Sequence, residues 1–277
     1  MIADRILTRL TQLPGARALW NRFPVGSVSL RVRYGVFQRP HYAYGVYYAA
    51  DLAKRLGISA ISVIEFGVAG GRGLLALESI AGTVTKYSGV SIDVVGFDGG
   101  LGMPEAVDYR DLPYVWGKGF YTMDENKLRS RLSPRTELVI GDVAETVPAW
   151  LTGKPKDRAP VGFVAFDLDY YSSTKKALSV FEGSRHELHL PRVYCYFDDI
   201  MWPHHACHNP YIGELCAIRE FNQSHEMLKL CPIHMLRHMR VHPDAWTEQM
   251  YVLHDFKHPF YCKNITPSGV KHTQIQI

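Results

Sequence analysis

The sequence predicts an α/β fold, a doubly wound and mostly parallel sheet of seven strands, and three observations carry that prediction. From about residue 60 onward, strand-like runs alternate with stretches of helical spacing, which calls for right-handed βαβ units. A glycine-rich turn, E-F-G-V-A-G-G-R-G (65–73), follows the first run. Acids close the later runs: Asp98, Asp142, the pair Asp167 and Asp169, and the pair Asp198 and Asp199.

The elements follow in order. In the N-terminal segment, Ile2, Ile6, Leu7, Leu10 and Leu13 share one helical face, with Arg5 and Arg9 nearby, and Pro14-Gly15 ends the helix. It is expected to pack on its own domain or on a partner subunit. The segment lacks the apolar core of a secretory signal. Residues 34–50 carry six aromatics with Arg39 and His41, a stretch that fits either a lid over a ligand or a helix packed on the sheet. S-V-I-E-F-G (62–67), S-I-D-V-V-G-F-D (91–98), T-E-L-V-I-G-D (136–142), 161–169 and 192–199 read as strands. L-L-A-L-E-S-I-A, V-A-E-T-V-P-A-W-L, S-T-K-K-A-L-S-V-F-E and G-E-L-C-A-I-R-E-F-N-Q-S-H read as the intervening helices. K-L-C-P-I-H-M-L and E-Q-M-Y-V-L-H-D-F supply two further strands, an antiparallel pair. Residues 99–132 form an irregular excursion. Residues 1–57 are expected to be an N-terminal helical or lid extension, and 58–277 the main domain.

Composition narrows the function classes. Hydrophobic residues make up 47% and charged residues 21% of the 277, and the net charge is +4 with scattered basic residues. Nucleic-acid binding would need those residues clustered, and no apolar run reaches the roughly 18 residues of a membrane span. Five cysteines without CxxC spacing point to a reducing, cytoplasmic setting.

The glycine turn sits where ligands bind in such sheets, beyond the carboxyl ends of the strands. A dinucleotide loop would begin G-x-G-x-x-G at the strand end. The register from Gly67 fails, and the looser G-R-G-L-L-A from Gly71 comes four residues late. Glu65, Gly67 and Gly71 instead meet E/D-x-G-x-x-x-G, the first motif of class I S-adenosylmethionine (SAM) methyltransferases, in which a strand-end carboxylate suits the ammonium group of the ligand's amino-acid tail. Asp98 suits a pair of ribose hydroxyls, and Asp142 an adenine amino group. Either could equally cap the following helix.

Asp167 and Asp169, two apart, point the same way on an extended chain. Asp198 and Asp199 serve one site only if the chain turns there. Four unpaired carboxylates in one cleft repel, and a hard divalent cation such as Mg²⁺ relieves them. Caps and local ion pairs are the structural alternative. M-W-P-H-H-A-C-H-N-P (201–210) offers His204, His205, Cys207 and His208. Zinc ligands usually come as two separated pairs, so a loop closing over substrate is the expectation. His254 and His258 read as ordinary surface or strand-end residues.

The set E-F-G-V-A-G-G, F-D-G-G-L-G-M-P-E, G-D-V-A-E-T, D-L-D-Y-Y-S-S-T and F-D-D-I, in this order, resembles the macrocin and mycinamicin type O-methyltransferases across about residues 60–225. The resemblance implies a Rossmann-like class I methyltransferase fold and a SAM- and Mg²⁺-dependent O-methyltransferase. Its acceptor would be a hydroxyl of a sugar or diol in a bacterial natural product or glycan, and a homo-oligomer is expected. It implies Asp167, Asp198 and Asp199 as metal ligands and Asp169 as general base. The cofactor set is Glu65, Gly67, Ala69, Gly71, Arg72, Asp98, Gly99, Asp142, Val143 and Asp167. Leu168 and Ile200 depart from the family's usual residues, so its acceptor does not carry over. An NAD-dependent oxidoreductase is the rival reading, and it leaves the four aspartates idle. A hydroxylase-like relative on the same architecture is another.

Overall fold

The protein is described here from a computed structural model covering residues 2–153, 158–182 and 186–266. Four helices open the chain: α1 (Ile2–Gln12), α2 (Ala16–Arg22), α3 (Val28–Arg33) and α4 (Pro40–Leu56). Then follow β1 (Ala60–Phe66), α5 (Arg72–Ser88), β2 (Ser91–Asp98), α6 (Glu125–Arg129), β3 (Thr136–Ile140) and α7 (Val143–Thr152). The chain continues with β4 (Val161–Phe166), α8 (Tyr171–Ala177), β5 (His189–Phe197), α9 (Gly213–Ser224), β6 (Leu228–Pro232), α10 (Leu236–Met239) and β7 (Met250–Asp255). The sheet runs β3-β2-β1-β4-β5-β7-β6. All strands are parallel except β7, which pairs antiparallel with both neighbours. The order reverses between β1 and β4, which opens a crevice beyond their carboxyl ends.

Helices cover both faces, so β4 (V-G-F-V-A-F) is buried throughout, as a central parallel strand must be. Alternation splits β1 between two cores. Ile61 and Val63 join α4 and α5 on one face, and Ile64 and Phe66 join α7, α8 and α9 on the other. Glu65 falls by the same period on the α4–α5 side.

Helix α4 starts with Pro40 in its first turn and stops at Gly57, a left-handed cap (φ 81°). Its Tyr42 and Tyr44 are buried in the core rather than displayed on a lid. Gly45 faces the Phe163 ring so closely that a Cβ there would lie 2.2 Å from it.

The first two helices dock through polar groups. The Thr11 hydroxyl pairs with the His242 ring at 2.9 Å, and Arg17 forms an ion pair with Asp244 at 2.6 Å. That contact turns Thr11 inward and leaves Ile6, Leu10 and Leu13 exposed. Their apolar stripe is thus not the face that packs on the domain. Among the described residues, no helix is long and apolar enough to cross a membrane.

Candidate active site

Four neighbouring strands that border the crevice carry a phenylalanine at or next to their last residue. Phe97, Phe66, Phe166 and Phe197 are register neighbours across β2, β1, β4 and β5, with centroids 4.9, 5.4 and 4.6 Å apart in turn. The three ring pairs are stacked, and all four side chains are fully buried. The residue after each phenylalanine (Asp98, Gly67, Asp167 and Asp198) borders one cavity of about 1390 Å³. A row of rings on one face thereby levels the strand ends that deliver the site.

The turn after β1 requires its glycines. Gly67 has φ +82°, and a Cβ there would sit 1.7 Å from the Asp167 carbonyl oxygen. Asp98 braces the turn: its Oδ2 accepts the N–H groups of Val68 (2.9 Å) and Ala69 (2.8 Å), and Oδ1 accepts that of Gly100 (2.6 Å). Glu65 is 1% exposed. Its Oε1 accepts the Tyr42 hydroxyl at 2.6 Å, while Oε2 is buried with no partner. Burial, opposed in part by the Tyr42 bond and by Arg39, pushes its carboxyl up to about 7. Gly73 makes room for this side chain, since a Cβ there would fall 1.8 Å from Oε1.

The acids of β4 and β5 converge, though not by strand geometry. The strands end at Phe166 and Phe197, and the chain turns after each. Asp169 takes a left-handed conformation (φ 59°), so Asp167 and Asp169 do not share an extended strand face as their spacing suggests. The turn carries the Asp169 N–H to Asp199 Oδ2 at 3.0 Å. Asp167, Asp198 and Asp199 each offer an oxygen within 4.8 Å of the others. Tyr196 donates to Asp198 Oδ1 at 2.6 Å, and Gln249 Nε2 to the Asp198 carbonyl at 2.6 Å. Burial first, and then neighbouring carboxylates, hold Asp167 and Asp199 well above the ordinary range. Asp169 is pushed up to about 7 by burial, despite its hydrogen bond with Asp199. An all-carboxylate donor set whose members raise one another's pKa fits a hard divalent cation.

All the expected cofactor residues line the cavity except Gly71, which caps α5 in the left-handed region (φ 78°) against Leu128. Asp142 caps α7 by accepting the Ala144 N–H at 2.8 Å and pairs with Lys176 at 3.1 Å. These contacts hold its carboxyl below the usual range, chiefly through the Ala144 bond. Trp202 and Pro203 border the cavity. His204, His205, Cys207 and His208 form no metal-binding group among the described residues. The His254 ring pairs with the Tyr261 hydroxyl at 2.9 Å, and His258 is buried beside His186 and His189.

Sequence reading missed two contributors. Glu214, at the start of α9, is fully buried, and its Oε2 accepts the Asp199 N–H at 3.1 Å while Thr174 donates to Oε1 at 3.3 Å. Tyr42, within the aromatic segment, reaches Glu65. An acid in a first helical turn ordinarily complements the helix dipole, so nothing marked Glu214 in advance.

No protein-family model matches this chain, and no curated protein does. Among solved structures, that of CalS11, the calicheamicin methyltransferase, is similar over 89% of this chain and 91% of its own, at 23% identity and a TM-score of 0.50. The apo structure of CalS11, described as a TDP-rhamnose 3'-O-methyltransferase, covers 89% of this chain and 93% of its own at 23% identity and a TM-score of 0.43. TomG, an O-methyltransferase from Streptomyces achromogenes solved with SAM, covers 75% of this chain and 77% of its own at 14% identity and a TM-score of 0.39. The first of these likenesses establishes that the chain has the seven-stranded α/β fold of a solved methyltransferase.

Proposed function

We propose that the protein is a SAM-dependent O-methyltransferase that uses a divalent cation, with Mg²⁺ the fitting choice, and acts on a hydroxyl of a small sugar or diol. The observation that carries this reading is the meeting, in one cavity, of a glycine turn holding an unpartnered buried Glu65 oxygen with the Asp167, Asp198 and Asp199 carboxylates. The cavity is larger than the roughly 300–1,000 Å³ typical of a single small ligand, which suits a cofactor and an acceptor together.

Glu65 would take the ammonium group of the cofactor's amino-acid end, and the Gly67 turn admits the ligand close to the backbone. SAM supplies a methyl group activated by its sulfonium. Asp98 keeps the turn in place through three amides, and Asp142 and Val143 also border the cavity. Asp167, Asp198 and Asp199 would hold the cation, which lowers the pKa of a hydroxyl beside it. Asp169 would accept the proton as the hydroxyl oxygen attacks, a task suited to a carboxyl raised to about 7. Glu214 and Gln249 hold the Asp198–Asp199 turn through backbone groups. Orientation of the two substrates supplies much of the remaining acceleration.

Calorimetric titration with SAM, S-adenosylhomocysteine and NADH, each with Mg²⁺ and with EDTA, tests the reading. Micromolar binding of the first two without NADH is the expected result. Binding of NADH alone would overturn it.

A further inference from the structure

Arg39 occupies the N-cap position of α4, immediately before Pro40, and lines the same cavity as Glu65, Asp167 and Asp198. Its guanidinium carbon lies 5.0 Å from the centre of the Tyr42 ring, whose hydroxyl is bonded to Glu65 Oε1. Among the described residues the guanidinium has no hydrogen-bond or ion-pair partner. The Glu65 Oε2 atom is likewise buried and unpartnered. Two opposite charges therefore share one wall of the cavity without bonding each other, although each lies in the other's field.

The gap between them has a cation-seeking side and an anion-seeking side. A lone cation at Glu65 leaves Arg39 unmatched. A lone inorganic anion at Arg39 meets the negative charge of Glu65, Asp167 and Asp198. A zwitterion with ammonium and carboxylate on one carbon matches both sides, and a planar guanidinium suits the carboxylate because its five N–H donors form a fork. We propose that Arg39 binds the carboxylate of the cofactor's amino-acid end while Glu65 takes its ammonium group. The inference rests on the cofactor reading above and extends it to a residue outside the glycine turn. It assigns to the protein a selection among adenosyl thioethers and sulfonium compounds: those lacking the carboxylate should bind poorly.

The test is calorimetry on the full chain in EDTA, so that metal binding does not contribute. S-adenosylhomocysteine is compared with its decarboxylated analogue, S-adenosyl-3-thiopropylamine. Wild-type protein should prefer the carboxylated ligand by about 10- to 100-fold, the range for a hydrogen bond to a charged group. Arg39→Gln should erase that preference while leaving the decarboxylated ligand's Kd within about threefold, and Arg39→Lys should restore part of it. Equal weakening of both ligands by Arg39→Gln, or no change in either, would overturn the assignment. So would a wild-type protein that binds both ligands alike, a result that needs no variant to fold. Failure of wild-type protein to bind either ligand would remove the cofactor reading itself, and this inference with it.

Discussion

Replacing Glu65 with glutamine should make the ligand-free protein more stable at alkaline pH while removing a group its ligand needs. The native carboxyl is 1% exposed and raised from an ordinary 4.5 to about 7, first by burial, so the native state holds the proton more tightly than the unfolded chain. Stability from this group is therefore fully present below about pH 4.5 and is lost as pH rises through about 7. At about 1.36 kcal/mol per pH unit, the full penalty is about 3 kcal/mol, most of which accrues between about pH 5 and pH 8. Glutamine fits the same slot against Gly73 and can still accept the Tyr42 hydroxyl at Oε1, but it has no proton to lose. Urea unfolding of both proteins in EDTA, at about pH 5 and about pH 8, reads the difference. Near pH 5 the two should agree to within about 1 kcal/mol, and near pH 8 the variant should be ahead by roughly 2 to 3 kcal/mol. Parallel pH profiles would refute the reasoning, because they would mean that Glu65 pays no ionisation cost in the native state.

Mg²⁺ at about 100 times its Kd should stabilise the protein by about 2.7 kcal/mol, seen as a rise in Tm, and Asp198→Asn should abolish that rise. Asp169→Asn should lower kcat by about 10²- to 10⁴-fold while leaving the Mg²⁺-dependent Tm shift in place; full activity would refute its role as proton acceptor. Gly67→Ala, with φ +82° and a carbonyl oxygen 1.7 Å from the new Cβ, should cost at least about 2 kcal/mol in thermal unfolding and weaken S-adenosylhomocysteine binding. Two helix glycines should respond in opposite directions: Gly45→Ala meets the Phe163 ring at 2.2 Å and should lose about 1 to 3 kcal/mol, whereas Gly82→Ala meets nothing within 4 Å and should gain about 0.5 to 1 kcal/mol.

Much of the sheet is legible in the sequence because its strands are short β-branched or aromatic runs stopped by acids or glycine. The run S-I-D-V-V-G-F-D matches β2 from end to end, and the final antiparallel pair overlaps the two late segments named for it, with β6 starting one residue earlier at Leu228. The convergence of the acids is legible too, but not its cause. Period-two reasoning aligns Asp167 with Asp169, whereas the strand stops at Phe166 and a left-handed Asp169 redirects the chain. Asp98 and Asp142 show the limit of motif position. Each stands where expected, yet one carboxylate is spent on loop amides and the other on a helix cap and Lys176. Local sequence cannot separate a ligand-facing acid from one that bonds its own backbone. Glu214 and Tyr42 were illegible as site residues for a different reason. Each bonds a site acid through tertiary packing of α9 or α4, which no local pattern encodes.

The row of stacked phenylalanines has a mechanical consequence. The cation proposed to bind Asp167 from one strand and Asp198 and Asp199 from the next would tolerate only small errors in the separation of its oxygens, and sliding of β4 along β5 would spoil it. Phe166 and Phe197 stack nearly parallel, 4° apart, so such a slide must drag one ring off the other inside a close-packed interior. Shear between the two strands is thereby coupled to the neighbouring pairs Phe66 and Phe97 as well. The site's alignment is a collective property of four strands, and a truncation such as Phe166→Leu, which touches none of the acids, should loosen the grip on the metal before it unfolds the sheet.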